Sequence, residues 1–379
     1  MAMVGVGVVV LACCTALLQP SNKAAVKDKT LVFMIKIYLK RLKRLRGWSE
    51  HSNSKALKTK SLFKQTMASD ILSMILIVVG LCLFETVSGI DNAVINAEVL
   101  RTMSQKARRW FLLWGILIAV FVIRGLLPWL IIWFTNPALG FIGSLTATFS
   151  SDPAVIQSIE QSAPLLLAGG GMFMVLLFFH WLFMEPKAYG LHMEKFFHRH
   201  GIWFFAVASI ILSVTVWFAL KLNPFMAFSA VLGSTAFFIT HGFKENAEKA
   251  EHEMLHKKEK MSDLSKILYL EVIDATFSVD AVLGAFAFTL SIPLILLGNG
   301  LGAIVVRKLT TSNIENIKKY KYLKNGAMYS VLFLGGIMLA ESFGTHIKPW
   351  ISPLITVAIL AYFFYKSKKE FNKKPVEVI

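Results

Sequence analysis

Two stretches of the chain carry acidic side chains at the same spacing inside apolar sequence. In the first, Glu85 precedes Asp91 by six positions, and in the second Asp274 precedes Asp280 by six positions. The acids are accompanied by amide and hydroxyl side chains, and oxygen ligands of these kinds are preferred by manganese, magnesium and calcium. No Cys or His, the usual ligands of zinc and copper, lies within residues 85–96 or 271–283. The two stretches therefore predict a site for a hard divalent cation.

The predicted site combines side chains from both stretches, most of them at the three- and four-residue spacing that places residues on one helix face. Several carboxylates around one dication leave surplus negative charge, so some should be protonated when the ion is absent. Proton-coupled exchange is a natural corollary. The predicted metal ligands are Glu85, Asp91, Asn92, Glu271, Asp274, Ser278 and Asp280, and the secondary candidates are Ser88, Asn96, Thr276 and Arg124.

The composition places these acids in a membrane protein. Hydrophobic residues make up 55% of the chain, charged residues only 17%, and the mean hydropathy is +0.60. A soluble protein of this length would carry more charge. The formal net charge of +17 lies mainly between apolar runs, which suits loops at a membrane surface and argues against nucleic acid as a partner. The expected partners are the lipid bilayer and the cation.

The fold class that follows is all-α: a polytopic membrane helix bundle of about nine spans. Lys and Arg concentrate in alternate loops, one of which contains Arg307 and Lys308. By the positive-inside rule those loops and the C-terminus are cytoplasmic, and the expected location is a bacterial inner membrane. The predicted spans are residues 70–100, 111–133, 163–184, 202–220, 224–241, 266–290, 292–306, 326–343 and 350–365.

The distribution of basic residues among the loops predicts that the two acidic spans cross the membrane in opposite directions. The two motifs would then form an inverted repeat. Antiparallel packing is expected to bring Asp91 towards Asp274 and Glu85 towards Asp280. Residues six apart on a straight helix differ by about 120° and roughly 9 Å along the axis, so the acids of one span cannot easily share an ion. We therefore predict helix breaks at residues 88–89 and 277–278.

Three regions are expected along the chain. Residues 1–66 form a basic N-terminal segment of uncertain structure, whose apolar run 3–18 could be an extra span, a processed leader or a poorly ordered extension. Residues 67–366 form the membrane domain, and residues 367–379 form a basic cytoplasmic tail.

Other interpretations remain open. The acids could pair with Arg124 and fix helix packing, which would describe a membrane scaffold that transports nothing. His180 and Glu185 could form a metal pair, although their place at a span end favours a solvated helix terminus. No nucleophile motif, zinc motif or phosphate-binding loop lies inside the spans, so an enzyme, an ATP-driven pump and a permanently bound cofactor are not expected.

Both acidic stretches resemble the TerC-like membrane proteins, a family named for tellurium resistance. The resemblance rests on Glu85 to Ala97 and on Tyr269 to Asp280, and it continues through Gly284-Ala-Phe-Ala and Tyr322-Leu-Lys-Asn-Gly-Ala. The chain is most similar to a longer branch of that group, known mainly as a domain of unknown function. Together these segments extend the resemblance over about residues 70–365.

The resemblance implies a multi-span fold related to the LysE exporter superfamily, with manganese export as the activity. It assigns binding roles to Glu85, Asp91 and Asn92 in the first motif. The second motif contributes Glu271, Asp274, Ser278 and Asp280. Gly89 stands where the family usually has Ser, so one hydroxyl ligand of the family is missing here.

Overall fold

A computed structural model describes residues 56–115, 140–147, 153–256, 262–312 and 320–371, with positions 118, 125, 126, 129, 130 and 133. All regular structure in these ranges is helical. The helices are α1 (Ala56–Ser88), α2 (Ile90–Arg101), α3 (Gln105–Trp110), a π-helical segment (Phe111–Gly115), α4 (Gly140–Ala147), α5 (Pro153–Phe183), α6 (His192–Arg199), a 3-10 turn (Gly201–Trp203), α7 (Phe204–Leu222), α8 (Pro224–His256), α9 (Asp263–Phe286), α10 (Ile292–Ser312), α11 (Leu323–Ser342) and α12 (Ile351–Phe371).

Among the described residues, five helices are long and apolar enough to cross a membrane. They are Ile71–Ser88, Gln161–Phe183, Gly201–Leu222, Pro224–Asn246 and Leu323–Ser342. Four more spans were predicted. Three of these form the helices α9, α10 and α12, and α9 differs from the five because it carries Glu271, Asp274 and Asp280. The remaining one, 111–133, lies largely outside the described residues.

Helix α5 is the centre of the packing, since 83% of its segment Gln161–Phe183 is buried. It contacts α8 and α11 through glycines. A Cβ on Gly233 of α8 would overlap the Gly169 carbonyl, and a Cβ on Gly171 would lie 3.0 Å from the Gly335 carbonyl of α11. Small residues let helix backbones approach this closely, as in membrane helix bundles.

The chain divides after Leu72 into two units, and the second, Ser73–Ile379, contains all the packing described here. The predicted N-terminal segment lies in the first unit, and its residues 1–55 are outside the described residues. At the other end, α12 continues past the predicted start of the tail to Phe371.

Helices α1 and α10 run parallel through the second unit. A Cβ on Gly298 would lie 2.5 Å from the Leu81 Cβ, and a Cβ on Gly302 would lie 2.5 Å from the Glu85 Cβ. One turn further, a Cβ on Gly89 would lie 3.1 Å from Val306. The four-residue steps on both helices show that they pack side by side in the same direction.

Helices α2 and α9, which carry most of the two acidic motifs, run antiparallel as the inverted repeat predicts. Asn96 contacts Asp274, and further along α2 the Thr102 carbonyl accepts a hydrogen bond from Lys266 at 2.9 Å. Helix α9 begins where the Ser262 side chain accepts a hydrogen bond from the Ser265 amide at 3.2 Å. A capping serine of this kind satisfies one of the otherwise unpaired amides of the first turn.

One predicted helix break is present and the other is not. Helix α1 ends at Ser88 and α2 begins at Ile90, with Gly89 at φ −79° and ψ 0° between them. The Gly89 amide still donates to the Glu85 carbonyl at 3.0 Å, so the irregularity is mild. The predicted break at residues 277–278 is wrong, because α9 is continuous from Asp263 to Phe286. Ser278 donates its hydroxyl to the Asp274 carbonyl at 2.6 Å within the same helix.

Candidate functional site

A polar contact between the two motifs joins Asn96 and Asp274. The Asn96 amide donates to the Asp274 carboxylate at 3.0 Å, and both side chains are buried. Asp91 was predicted to lie near Asp274, and its side chain is outside the described residues. Asn96, which makes the contact, lies five residues, or about 7.5 Å, further along α2. A buried carboxylate that contacts an amide on an opposing helix has oxygen ligands from two elements beside it, which is the chemistry predicted for a hard cation.

Glu271 lies one turn before Asp274 on the same helix. Neither of its carboxylate oxygens accepts a hydrogen bond from the described residues, although both oxygens are buried. A Cβ on Gly115, the last residue of the π-helical segment, would overlap the Glu271 carboxylate. Gly115 therefore makes the space that this carboxylate occupies. Buried acceptors without a hydrogen bond are uncommon and indicate a ligand, an ion or a structural cost.

Arg307 of α10 is a positively charged side chain near these acids. It interacts electrostatically with Asp274 and with Glu271. Its guanidinium also donates to the Phe111 carbonyl and lies over the Phe111 ring, 4.6 Å from the ring centroid. Arg307 was predicted to lie in a cytoplasmic loop, but in the structure it is half-buried on a helix. The four side chains Asn96, Glu271, Asp274 and Arg307 are called the acid cluster below.

Glu85 lies in a separate layer. It is 2% exposed and packs against Gly302 of α10. Eleven residues separate it from Asn96, which corresponds to about 16 Å along a helix axis. Asp91 lies between these two levels on α2, and its side chain is outside the described residues. Oxygen side chains therefore follow α1 and α2 at intervals, instead of meeting in one cage around Asp274.

Asp280 belongs to a different environment. Its electrostatic neighbours are Lys244 of α8 and Glu185 after α5. The six-residue spacing explains the separation, because α9 is continuous and turns Asp280 about 120° away from Asp274. The acids of α9 were predicted to act as one set of ligands. In the structure, Asp274 and Asp280 lie on different sides of the helix.

A second polar cluster surrounds this other side. The His180 ring lies 3.8 Å from the His241 ring between centroids, the His180 Nδ1 lies 3.8 Å from the Glu185 carboxylate, and Lys324 contacts the same carboxylate at 2.8 Å. His180 is 7% exposed, so the interpretation as a solvated helix end is wrong. The four side chains His180, Glu185, His241 and Lys324 are called the histidine cluster below.

The charges around Glu185 decide its protonation. Burial alone would raise the pKa of Glu185, but contact with His180 and the positive charges of Lys324 and Lys244 hold the pKa well below its ordinary value. The carboxylate is therefore ionised at neutral pH and paired with Lys324. This arrangement is that of a fixed ion pair.

The described residues contain no group of three or more His, Cys, Asp or Glu side chains that could hold a metal ion. Among the predicted ligands, Ser278 donates its hydroxyl to a backbone carbonyl of its own helix, α9. The hydroxyl of Ser88 lies 3.4 Å from the Glu85 carbonyl. Asp91, Asn92 and Thr276 lie in helices, but their side chains are outside the described residues, as is all of Arg124.

Together the fold and the acid cluster define an all-helical protein with membrane-type helices and buried carboxylates between them. The family described as a protein of unknown function (DUF475) matches residues 90–374, and the chain belongs to that family. The match includes Asn96, Glu271, Asp274 and Arg307, and it begins after Glu85. A search of the curated proteins and a search of the solved structures each gave no match.

Proposed function

We propose that this protein is a membrane transporter that exports a hard divalent cation, with manganese as the preferred ion. The observation that carries the proposal is the Asn96–Asp274 contact between the two motif-bearing helices, beside a Glu271 carboxylate that accepts no hydrogen bond from the described residues. Carboxylates inside apolar helices are costly and usually serve ion or proton pathways. The choice of manganese follows from the oxygen ligands and from the resemblance to TerC-like proteins, which also suggests a role in metal or tellurium resistance.

The cation would pass between layers of oxygen ligands. Glu85 marks one layer and the acid cluster marks another, with Asp91 on α2 at an intermediate level. Stepwise passage suits the separation of these layers better than one cage does. Conduction of this kind needs sites strong enough to admit the ion and weak enough to release it.

The proposal includes a membrane topology. Helices α9, α10 and α12 would cross the bilayer together with the five apolar helices and residues 111–133, which makes about nine spans. The basic C-terminal residues would then lie in the cytoplasm, and the membrane would be a bacterial inner membrane. The antiparallel pair α2 and α9 supports an inverted repeat, the arrangement that places transporter sites near the bilayer midplane.

Transport of manganese into proteoliposomes tests the function. Wild-type protein should carry Mn²⁺ and quench a metal-sensitive dye inside the vesicles. Asp274→Asn should lower the initial rate by at least about tenfold, because it removes a charged ligand while keeping the shape of the side chain. A wild-type rate equal to that of empty vesicles would remove the proposal. Repeating the assay with and without a pH gradient tests proton coupling.

Asp263→Asn is the matched control. It makes the same chemical change on the same helix, but in the first turn at the N-terminus of α9. Its transport rate should match that of the wild type. If Asp263→Asn and Asp274→Asn lowered transport equally, the loss would reflect general damage to α9 and not a role of the acid cluster.

A structural role for the acids is the second candidate, and Arg307 favours it. A guanidinium beside two carboxylates can form a buried ion pair that holds α9 and α10 together, as in a scaffold without transport. In that case Asp274→Asn should lower the amount of folded protein in the membrane. Adding both Glu271→Gln and Arg307→Gln should restore that amount, because the triple variant leaves no charged side chain in the acid cluster.

A further inference from the structure

Arg307 has two sets of partners in the structure. On one side are the carboxylates of Asp274 and Glu271, with which it interacts electrostatically. On the other side are the carbonyl and the ring face of Phe111. A guanidinium presents several donors in a flat fork and also stacks on aromatic rings, so it can use both sets. It therefore has partners to keep when the carboxylates are taken by another ion.

The guanidinium cannot lose its charge. Arginine stays protonated in proteins, so its charge must be balanced by neighbours at every step of a transport cycle. A divalent cation bound to Asp274 and Glu271 would repel the guanidinium and compete for the same oxygens. Like charges repel strongly in a protein interior. The cation and Arg307 therefore compete for the two carboxylates.

The second set of partners lies in an unusual backbone segment. Phe111 begins the π-helical segment that ends at Gly115, and Gly115 lies against Glu271. Phe111 is 1% exposed, so its ring is a fixed surface. Short π-helical segments are frequently found at functional sites. One short segment thus contacts both the guanidinium and one of its carboxylate partners.

We propose that Arg307 is a built-in counter-ion, which balances one of the two negative charges of Asp274 and Glu271 when no metal is bound and is held by Phe111 alone when the transported cation takes these carboxylates. This inference rests on the proposed function and extends it to the metal-free protein. It explains how the negative charge between the helices is reduced after the cation leaves. It also gives a reason for Phe111 to offer the guanidinium both a carbonyl and a ring.

Binding of Mn²⁺ by the purified full-length protein in detergent, followed by isothermal titration calorimetry, tests the inference. Arg307→Gln removes the competitor, so we expect the Kd for Mn²⁺ to fall by about tenfold or more. Arg307→Lys keeps the charge and should stay closer to the wild type. Phe111→Leu keeps most of the side-chain volume but removes the ring face that retains the displaced guanidinium. It should therefore weaken Mn²⁺ binding, a change of opposite sign.

Lys308→Gln is the matched control, because it removes one positive charge from the adjacent exposed position. Its Kd should equal that of the wild type. A Kd for Arg307→Gln that is unchanged or higher, with normal Mn²⁺ binding by the wild type, would overturn the inference and leave the proposed function standing. Absence of Mn²⁺ binding and transport in the wild type would overturn both. If Arg307→Gln does not fold, an unchanged or tighter Kd in Phe111→Leu overturns the inference.

Discussion

Helix α9 has two polar sides, and they differ in how their carboxylates are satisfied. On one side, Glu271 has two buried oxygens that accept no hydrogen bond from the described residues. On the other side, Asp280 lies near Glu185, whose carboxylate contacts Lys324 at 2.8 Å. The acid cluster therefore contains carboxylate oxygens that could bind a cation. In the histidine cluster, the Glu185 carboxylate is already paired with Lys324. The same residue type thus serves different purposes according to its neighbours.

The comparison of the two clusters shows that burial of an acid does not by itself identify a cation site. Glu185 and Asp274 are both shielded from water, but only Asp274 lies beside an amide ligand on the opposing motif helix. A buried carboxylate paired with a lysine is a common structural feature.

Gly115→Ala should damage the acid cluster directly. The added Cβ would overlap the Glu271 carboxylate and would lie 2.9 Å from the Phe111 ring. Overpacking of a filled interior costs about 1–3 kcal/mol, which corresponds to about 5-fold to 150-fold in Mn²⁺ affinity if the whole cost falls on the site. Gly242→Ala is the control, because a Cβ there meets nothing within 4 Å. It should leave transport unchanged and stabilise α8 by about 0.5–1 kcal/mol.

Asp280→Asn should have a smaller effect on transport than Asp274→Asn. Asp280 faces Lys244 and Glu185, so its loss changes the electrostatics of the histidine cluster and not the ligands at Asn96. We expect a proteoliposome rate within about threefold of the wild type and a loss of up to about 2 kcal/mol in unfolding free energy. Equal loss of transport in both variants would instead place Asp280 on the ion path, as its position in the repeat predicted.

Glu185→Gln should change how stability depends on pH. Because the pKa of Glu185 lies well below its unfolded value, the carboxylate stabilises the folded protein above about pH 4.3, and this contribution is lost as the pH falls further. The variant should unfold at a lower temperature at pH 7 and approach the wild type at low pH. Thermal unfolding in detergent between pH 3 and 7 measures the difference. A constant difference across that range would contradict the assignment of the ion pair.

Substitution of Lys187 should have the smallest effect on stability, and that effect should appear at alkaline pH. Burial lowers the pKa of Lys187 to about 8, although the charges of Glu185 and Glu194 oppose the shift. The unfolded chain then binds more protons than the folded one between about pH 8 and 10.4, so stability rises with pH in that range. Lys187→Met should lose this rise, whereas Lys195→Met, at an exposed position, should keep it. Thermal unfolding over this range distinguishes the two variants.

Much of the fold was predictable because its causes are local. Apolar runs of sufficient length predict membrane helices, and five of the nine predicted spans reappear as such helices among the described residues. Opposite directions for α2 and α9 followed from loop charges, and the contacts of Asn96 with Asp274 agree with them. The irregularity at Gly89 was also expected, since glycine weakens a helix interior.

The candidate site was predictable only in part. The spacing of Glu271 and Asp274 correctly placed them close together along one helix. It did not reveal Arg307, because an arginine at the end of a short apolar run looks like a loop residue at the membrane surface. Its contact with the acids depends on how α10 packs, which no local pattern contains.

By itself, the sequence determined the helices, their approximate directions and the presence of acids inside them, because hydropathy, charge and helical periodicity act over a few turns. Only the tertiary structure decided which acids share an environment. It separated Asp280 from Asp274, paired Asp274 with Asn96 and brought Arg307 beside them. The physical reason is that partners of a buried charge come from other helices, and their choice is set by packing and register over the whole bundle.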